Sequence, residues 1–105
     1  MEFNKLIIKK AVYDIIETEI LYEVASTRAR GLKFLEIGID AAEDEKAHIT
    51  AIKVLKKLKK QGKIELFITV SENESDSKEA QYVSNKYPEL SLSNNSDERK
   101  IIVMI

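Results

Sequence analysis

The apolar side chains fall in short, strongly patterned runs, and each run predicts an element. From Phe3 to about Ala25 they recur at helical spacing, with Ile8, Val12, Ile15, Ile16, Ile20 and Val24 on one stripe and Lys9, Lys10, Glu17 and Glu23 off it. One long N-terminal amphipathic helix is expected, with Tyr13 and Tyr22 at the edge of its stripe. Ser26-Thr-Arg-Ala-Arg-Gly31 then breaks the pattern, and Gly31 suits a turn because it takes a positive φ without steric cost. Leu32 to Ile39 reads best as a strand, with Leu35, Ile37 and Ile39 on one side and Phe34, Glu36 and Gly38 on the other. The competing helix would put Leu32, Leu35 and Ile39 on one face, but Ile37, Gly38 and Ile39 together are poor helix formers.

Asp40 to Val70 is the most strongly patterned stretch. Asp40 and Glu43 have capping-box spacing, and Asp44 and Glu45 add negative charge where the helix dipole favours it. Ala47, His48, Ala51, Ile52, Leu55 and Leu58 form the expected buried stripe, and Gly62 stands where the helix should end. The apolar run Ile64, Leu66, Phe67, Ile68 and Val70 predicts a strand covered on both faces. Beyond a polar loop, Asp76 and Glu79 repeat the cap spacing ahead of Ala80, Tyr82, Val83 and Tyr87, a short helix that Pro88 stops. Ser91 to Lys100 reads as a solvated loop, and Ile101 to Ile105 as a final strand. The order is helix, strand, helix, strand, helix, strand. This predicts an α/β fold with a small three-stranded, mostly parallel sheet and a long N-terminal amphipathic helix.

Composition narrows the class without naming a function. The 105 residues suit a single domain spanning 1–105, and 44% apolar with 33% charged residues is ordinary for a soluble protein. A chain of this size buries only about two thirds of the surface its unfolded form exposes, so a homodimer is expected. No cysteine is present, which excludes disulfides, thiolate catalysis and Cys-ligated zinc. Charges interrupt Met1 to Ile20 throughout, so no signal peptide or membrane span is expected there, and the location inferred is cytoplasmic. The net charge of −1 conceals an asymmetry, with positive residues in excess between Gly31 and Lys63 and negative ones from Ile64 onward. Such a split suits either a basic binding face or two patches that attract each other within or between chains.

The functional lead is a lysine stripe. On a helical wheel Lys46, Lys53, Lys56, Lys57 and Lys60 occupy an arc of roughly 100° opposite the apolar face, with no local carboxylate to balance them. Solubility alone would justify such a face. As a site it suits polyanions, because each phosphate neutralised releases a counterion. The face lacks aromatics for base stacking, so a nucleic acid would be held by its backbone, without sequence preference. Arg28 and Arg30, beside Ser26 and Thr27, could grip a phosphate; the plainer reading places them near a helix C-terminus, where the dipole favours cations.

The expected function is therefore a small non-enzymatic binding or regulatory module that presents this face to an acidic protein surface or a nucleic-acid backbone. No cofactor or metal is expected. Ile52 to Val70 locally resembles the passage from recognition helix to wing in winged-helix DNA-binding proteins: a lysine-rich helix, a short Gly turn and an apolar strand. The resemblance covers less than a fifth of the chain and implies DNA binding as an alternative. It departs from the pattern in the length of the helix and in bulky Phe34.

A second alternative is Mg²⁺-dependent phosphoryl transfer or nucleotide binding. It would place Asp40, Thr69, Ser71, Glu72 and Glu74 at the carboxyl ends of two parallel neighbouring strands. No Gly-rich phosphate loop accompanies them. His48, the one histidine, falls toward the apolar side of its helix and reads as a packed residue, and a zinc site would need further nitrogen or sulfur ligands.

Overall fold

The computed structural model describes residues 4–70 and 100–105 and, between them, Tyr82 and Asn85, both helical and exposed. Strand β1 (Asn4–Ile8) leads to helix α1 (Tyr13–Ala29) and strand β2 (Phe34–Ile39). A single 3-10 turn (Ala41–Glu43) then precedes helix α2 (Asp44–Lys60), followed by β3 (Leu66–Val70) and β4 (Lys100–Met104). The four strands form one sheet in the order β1-β2-β4-β3. β1 and β2 are parallel, whereas β4 runs antiparallel to both β2 and β3. The molecule is a small α/β domain, with one more strand than expected and a mixed rather than mostly parallel sheet.

The expected long N-terminal helix is corrected to a strand followed by a helix. Ile8, Val12, Ile16, Ile20 and Val24 are each four residues apart, so the helical period of α1 runs back through β1 by coincidence. No glycine or proline lies between Ile8 and Tyr13 to mark the break. Within β1 the alternation is that of a strand, with Leu6 and Ile8 buried and Lys5 and Ile7 exposed.

Leu32–Ile39 is indeed a strand over most of its length, and the strand expected at Ile64–Val70 begins two residues later. The helix foreseen around Ala80–Tyr87 lies outside the described residues except at Tyr82 and Asn85.

Both helices end in the same way. Gly31 and Gly62 take φ of 70° and 74°, and the residues after them close back on the helix through Leu32 N to Thr27 O (3.0 Å) and Lys63 N to Leu58 O (2.9 Å). Only glycine enters this left-handed conformation without a Cβ penalty. Asp40 caps as its sequence suggests, since Oδ1 accepts the Ala42 N–H at 2.9 Å. It serves the 3-10 turn, however, and α2 proper starts at Asp44.

The connections fix where the helices go. α1 carries the chain from β1 to its parallel neighbour β2, and α2 carries it past β4 to β3, in the same direction across the sheet. Two right-handed crossovers in one direction place both helices on one face. Ile16, Ile20 and Val24 of α1 and Ala47, Ala51, Val54, Leu55 and Leu58 of α2 bury there against Leu6, Ile8, Leu35, Ile37, Ile39, Ile101 and Val103.

Because β4 is a central strand, both its faces are apolar. Ile101 and Val103 join this core, while Ile102 and Met104 are buried on the opposite face with Phe34 and Ile68. The strongly apolar C-terminal run is thereby accounted for within the chain's own sheet.

Candidate functional site

α2 is held against the sheet by its alanines and leucines, which leaves its outer side to solvent. Lys46, Ile49, Lys53, Lys56 and Lys60 follow one another there in steps of three or four residues, all exposed. From Lys46 to Lys60 the stripe is about 21 Å long at 1.5 Å rise per residue. Lys46, Lys53, Lys56 and Lys60 form no ion pair with any described residue. Lys59 and Lys63 add exposed positive charge near the same helix end, where the dipole tolerates it.

Lys57 departs from that description. Its Nζ lies 2.7 Å from Glu17 Oε2 of α1, an ion pair that ties the two helices together. The hydrogen bond from Lys57 is the main cause holding the Glu17 carboxyl below its ordinary value, and the same bond raises Lys57. The expectation that no carboxylate balances the stripe therefore fails at this one position. Glu17 is forty residues away in sequence, and no local spacing could have revealed it.

Arg28 and Arg30, both exposed, each donate to a group within the chain. Arg28 Nη2 donates to the Lys63 carbonyl at 2.7 Å, clasping the end of α1 to the segment that leads into β3. Arg30 Nη1 donates to Asn4 Oδ1 at 3.2 Å. The neighbouring hydroxyl of Thr27 is fully buried; it donates to the Glu23 carbonyl at 2.6 Å and accepts from Asn4 Nδ2 at 3.1 Å. These residues close the lower edge of the fold, at the C-terminal ends of both helices.

The acidic edge considered for a metal is not assembled among the described residues. β4 lies between β2 and β3, so Asp40 and Thr69 are separated by two strand spacings, about 10 Å, instead of meeting as neighbours. Ser71, Glu72 and Glu74 lie outside the described residues. Among the described residues no group of three or more His, Asp or Glu side chains is placed to hold a metal ion. His48 is half-buried, at the flank of the stripe and not within the core.

A second polar feature lies on the sheet face opposite the helices. A hollow of about 290 Å³ is lined by Lys5, Ile7, Glu36, Gly38, Ile39, Asp40 and Lys100. Glu36 sits between Lys100 (3.6 Å) and Lys5 (3.8 Å), so its charge is met from both neighbouring strands. Gly38 opens the floor, and Ile7 Cδ1 would stand 3.0 Å from a Cβ added there. This arrangement reads as cross-strand charge pairing.

The passage that resembles a winged helix runs from α2 into β3. α2 lies flat on a sheet whose strand β3 pairs with β4 only after the intervening residues 71–99, and the sheet carries two helices on one face. Comparison with protein-family models, with curated proteins and with solved structures found no match. No helix among the described residues is long and apolar enough to cross a membrane.

Sequence reasoning passed over Ile49. It is 49% exposed in the middle of the lysine stripe, and its wheel position between Lys46 and Lys53 was sufficient to find it.

Proposed function

We propose that this chain is a small non-catalytic binding module that presents the outer face of α2 to an acidic partner. The observation that supports the reading is the stripe itself, four ammonium groups on one helix face with no ion pair to any described residue, beside a fifth that has one. Like charges three and four residues apart cost a few tenths of a kcal/mol per pair in an isolated helix. A partner with negative charge removes that repulsion. Ile49 favours an acidic protein surface, because an apolar side chain centred among the lysines gains nothing from a phosphate backbone and is buried by a protein. The second reading, a nucleic-acid backbone, is supported by the length of the stripe, and would carry no sequence preference.

Binding of fluorescent poly-glutamate and of a fluorescent DNA duplex, read by polarisation, tests the reading. Four phosphate contacts predict a salt slope near −3.6, so duplex affinity falls roughly 150-fold between 50 and 200 mM salt. The variant Lys53→Glu/Lys56→Glu/Lys60→Glu should lose both probes while keeping its circular dichroism spectrum. Absence of binding to either probe at low salt, or binding that survives the triple change, would overturn the proposal.

A further inference from the structure

Five of the seven large apolar side chains exposed among the described residues lie on the helical layer: Val12, Tyr13, Ile15, Tyr22 and Ile49. Apolar exposure gathered on one layer, with charge around it, marks a contact surface more often than chance scatter does. Two stripes on that layer match each other. On α2, Ile49, Lys53 and Lys56 are spaced by four and then three residues; on α1, Ile15, Glu19 and Tyr22 are spaced in the same way. Ile15 is exposed and Tyr22 is 71% exposed. Glu19 is half-buried, and one of its carboxylate oxygens is shielded from water without a hydrogen-bond donor among the described residues.

We propose that the acidic partner of the α2 lysine face is the α1 helix of a second copy of this chain, in a twofold dimer joined through the helical layers. The proposal rests on the reading of α2 as an acidic-partner surface and names that partner. Both helices run against the three co-directional strands, so within one copy they point the same way. A twofold axis lying along and between them sets α1 of each copy on α2 of the other, again in the same direction. Ile15 then meets Ile49, Glu19 meets Lys53, and the Tyr22 ring meets the Lys56 ammonium, each contact being made twice. Asp14, exposed in the first turn of α1 and next to Ile15 in sequence, lies off this stripe and adds a second negative charge to the same helix.

Charge complementarity selects this occupant. On α1 the carboxylates of exposed Asp14 and half-buried Glu19 form no ion pair with any described residue, and the outer side of α2 supplies ammonium groups, so a copy turned by the twofold brings the two signs together. Helices about 25 Å long and about 10 Å apart offer on the order of 500 Å² per copy, at the lower limit for a specific interface. The dimer is accordingly weak, and its population follows protein concentration and salt. A polyanion that takes the lysine face competes with it.

Light scattering across a concentration series reads the mass, and reciprocal charge reversal identifies the surface. The wild type should rise from 12.0 kDa toward twice that value, and added salt should reverse the rise. Lys53→Glu/Lys56→Glu in one chain and Asp14→Lys/Glu19→Lys in another should each weaken dimerisation about tenfold or more, since like charges then face each other. Mixed one to one, the two variants should recover the dimer as a heterodimer, because each supplies the charge the other lacks. That recovery also shows both variants to be folded.

A dimer that neither variant weakens overturns the inference, and so does a mixture that stays monomeric. A monomeric wild type that still binds poly-glutamate overturns the second copy as partner and leaves the acidic-partner reading standing. A monomer that binds no polyanion removes both.

Discussion

Leu55 and Ile49 are both apolar residues of α2, six positions apart, and truncating each to alanine tests how the helix is seated. Leu55 is fully buried against the sheet, whereas Ile49 stands half in solvent among the lysines. Leu55→Ala removes three buried carbons, worth about 2.4 kcal/mol at about 0.8 kcal/mol each. A cavity term raises the total to about 3–4 kcal/mol, because Ala51, Val54 and Leu58 beside it are backed by strands that collapse poorly into the space. Ile49→Ala loses little burial and gains a few tenths of a kcal/mol in helix propensity, so its net effect stays within about 0.5 kcal/mol.

Urea unfolding followed by circular dichroism separates the two outcomes. With a denaturant slope of about 1.5 kcal/mol/M, Leu55→Ala lowers the midpoint by about 2 M and Ile49→Ala leaves it nearly unchanged. The measurement belongs at low protein concentration, where association adds nothing to apparent stability. An Ile49→Ala midpoint that falls as far as that of Leu55→Ala would show that α2 turns a different face to the sheet. The lysine stripe would then no longer be its outer side.

Two further outcomes follow from particular contacts. Gly62 takes φ of 74° with open space around its Cα, so Gly62→Ala costs backbone strain alone, about 1 kcal/mol or about 5 °C in thermal midpoint, and Gly62→Asn costs less; an unchanged midpoint for alanine would contradict the left-handed helix end. The Glu17–Lys57 pair makes a pH-dependent contribution. The depressed Glu17 carboxyl stabilises above its ordinary value of 4.5 and loses that effect as pH falls through the folded value; Lys57, raised above 10.5, loses its share only as pH rises past there. The stability difference between wild type and Lys57→Met should therefore be largest between those limits and shrink in acid, and a difference that is flat with pH would rule out the pair as its source.

How much of this was legible in the sequence depends on the range of the interaction that decides each feature. The strand at Leu32–Ile39, the cap at Asp40, the stops at Gly31 and Gly62 and the exposure of the lysines all follow from local chemistry within a few residues, and they read correctly. The break between β1 and α1 was invisible because the hydrophobic period of the helix happens to continue through the strand. The buried face of α2 is legible in Ala47, Ala51, Leu55 and Leu58, with Ile52 packed at its border, while Val54 is missed and His48 is only half-buried, since the wheel alone does not say where the sheet lies. Strand order was out of reach for a similar reason. The apolar run Ile101–Ile105 shows that its strand is covered on both faces, but nothing in it states the direction in which it runs between β2 and β3.

The same distinction bears on which surface does the protein's work. Among the described residues the sheet ends in β3 on one side and in β1 on the other, and an edge such as β1 is the usual place to look for association through backbone pairing. Here it is short, Lys5 alternates along it, and Lys9 and Lys10 follow directly, which are the features that discourage pairing with another chain. The helical layer carries the opposite signature. Its exposed isoleucines and tyrosines are not interrupted by like charge but bordered by opposite charge on two separate helices, acidic on α1 and basic on α2. A surface built only for solubility has no reason to sort its signs between neighbouring helices and leave apolar side chains at the same spacing in each. Sorting of that kind is useful to a partner that must find both signs in register, and a second copy of the chain meets that condition.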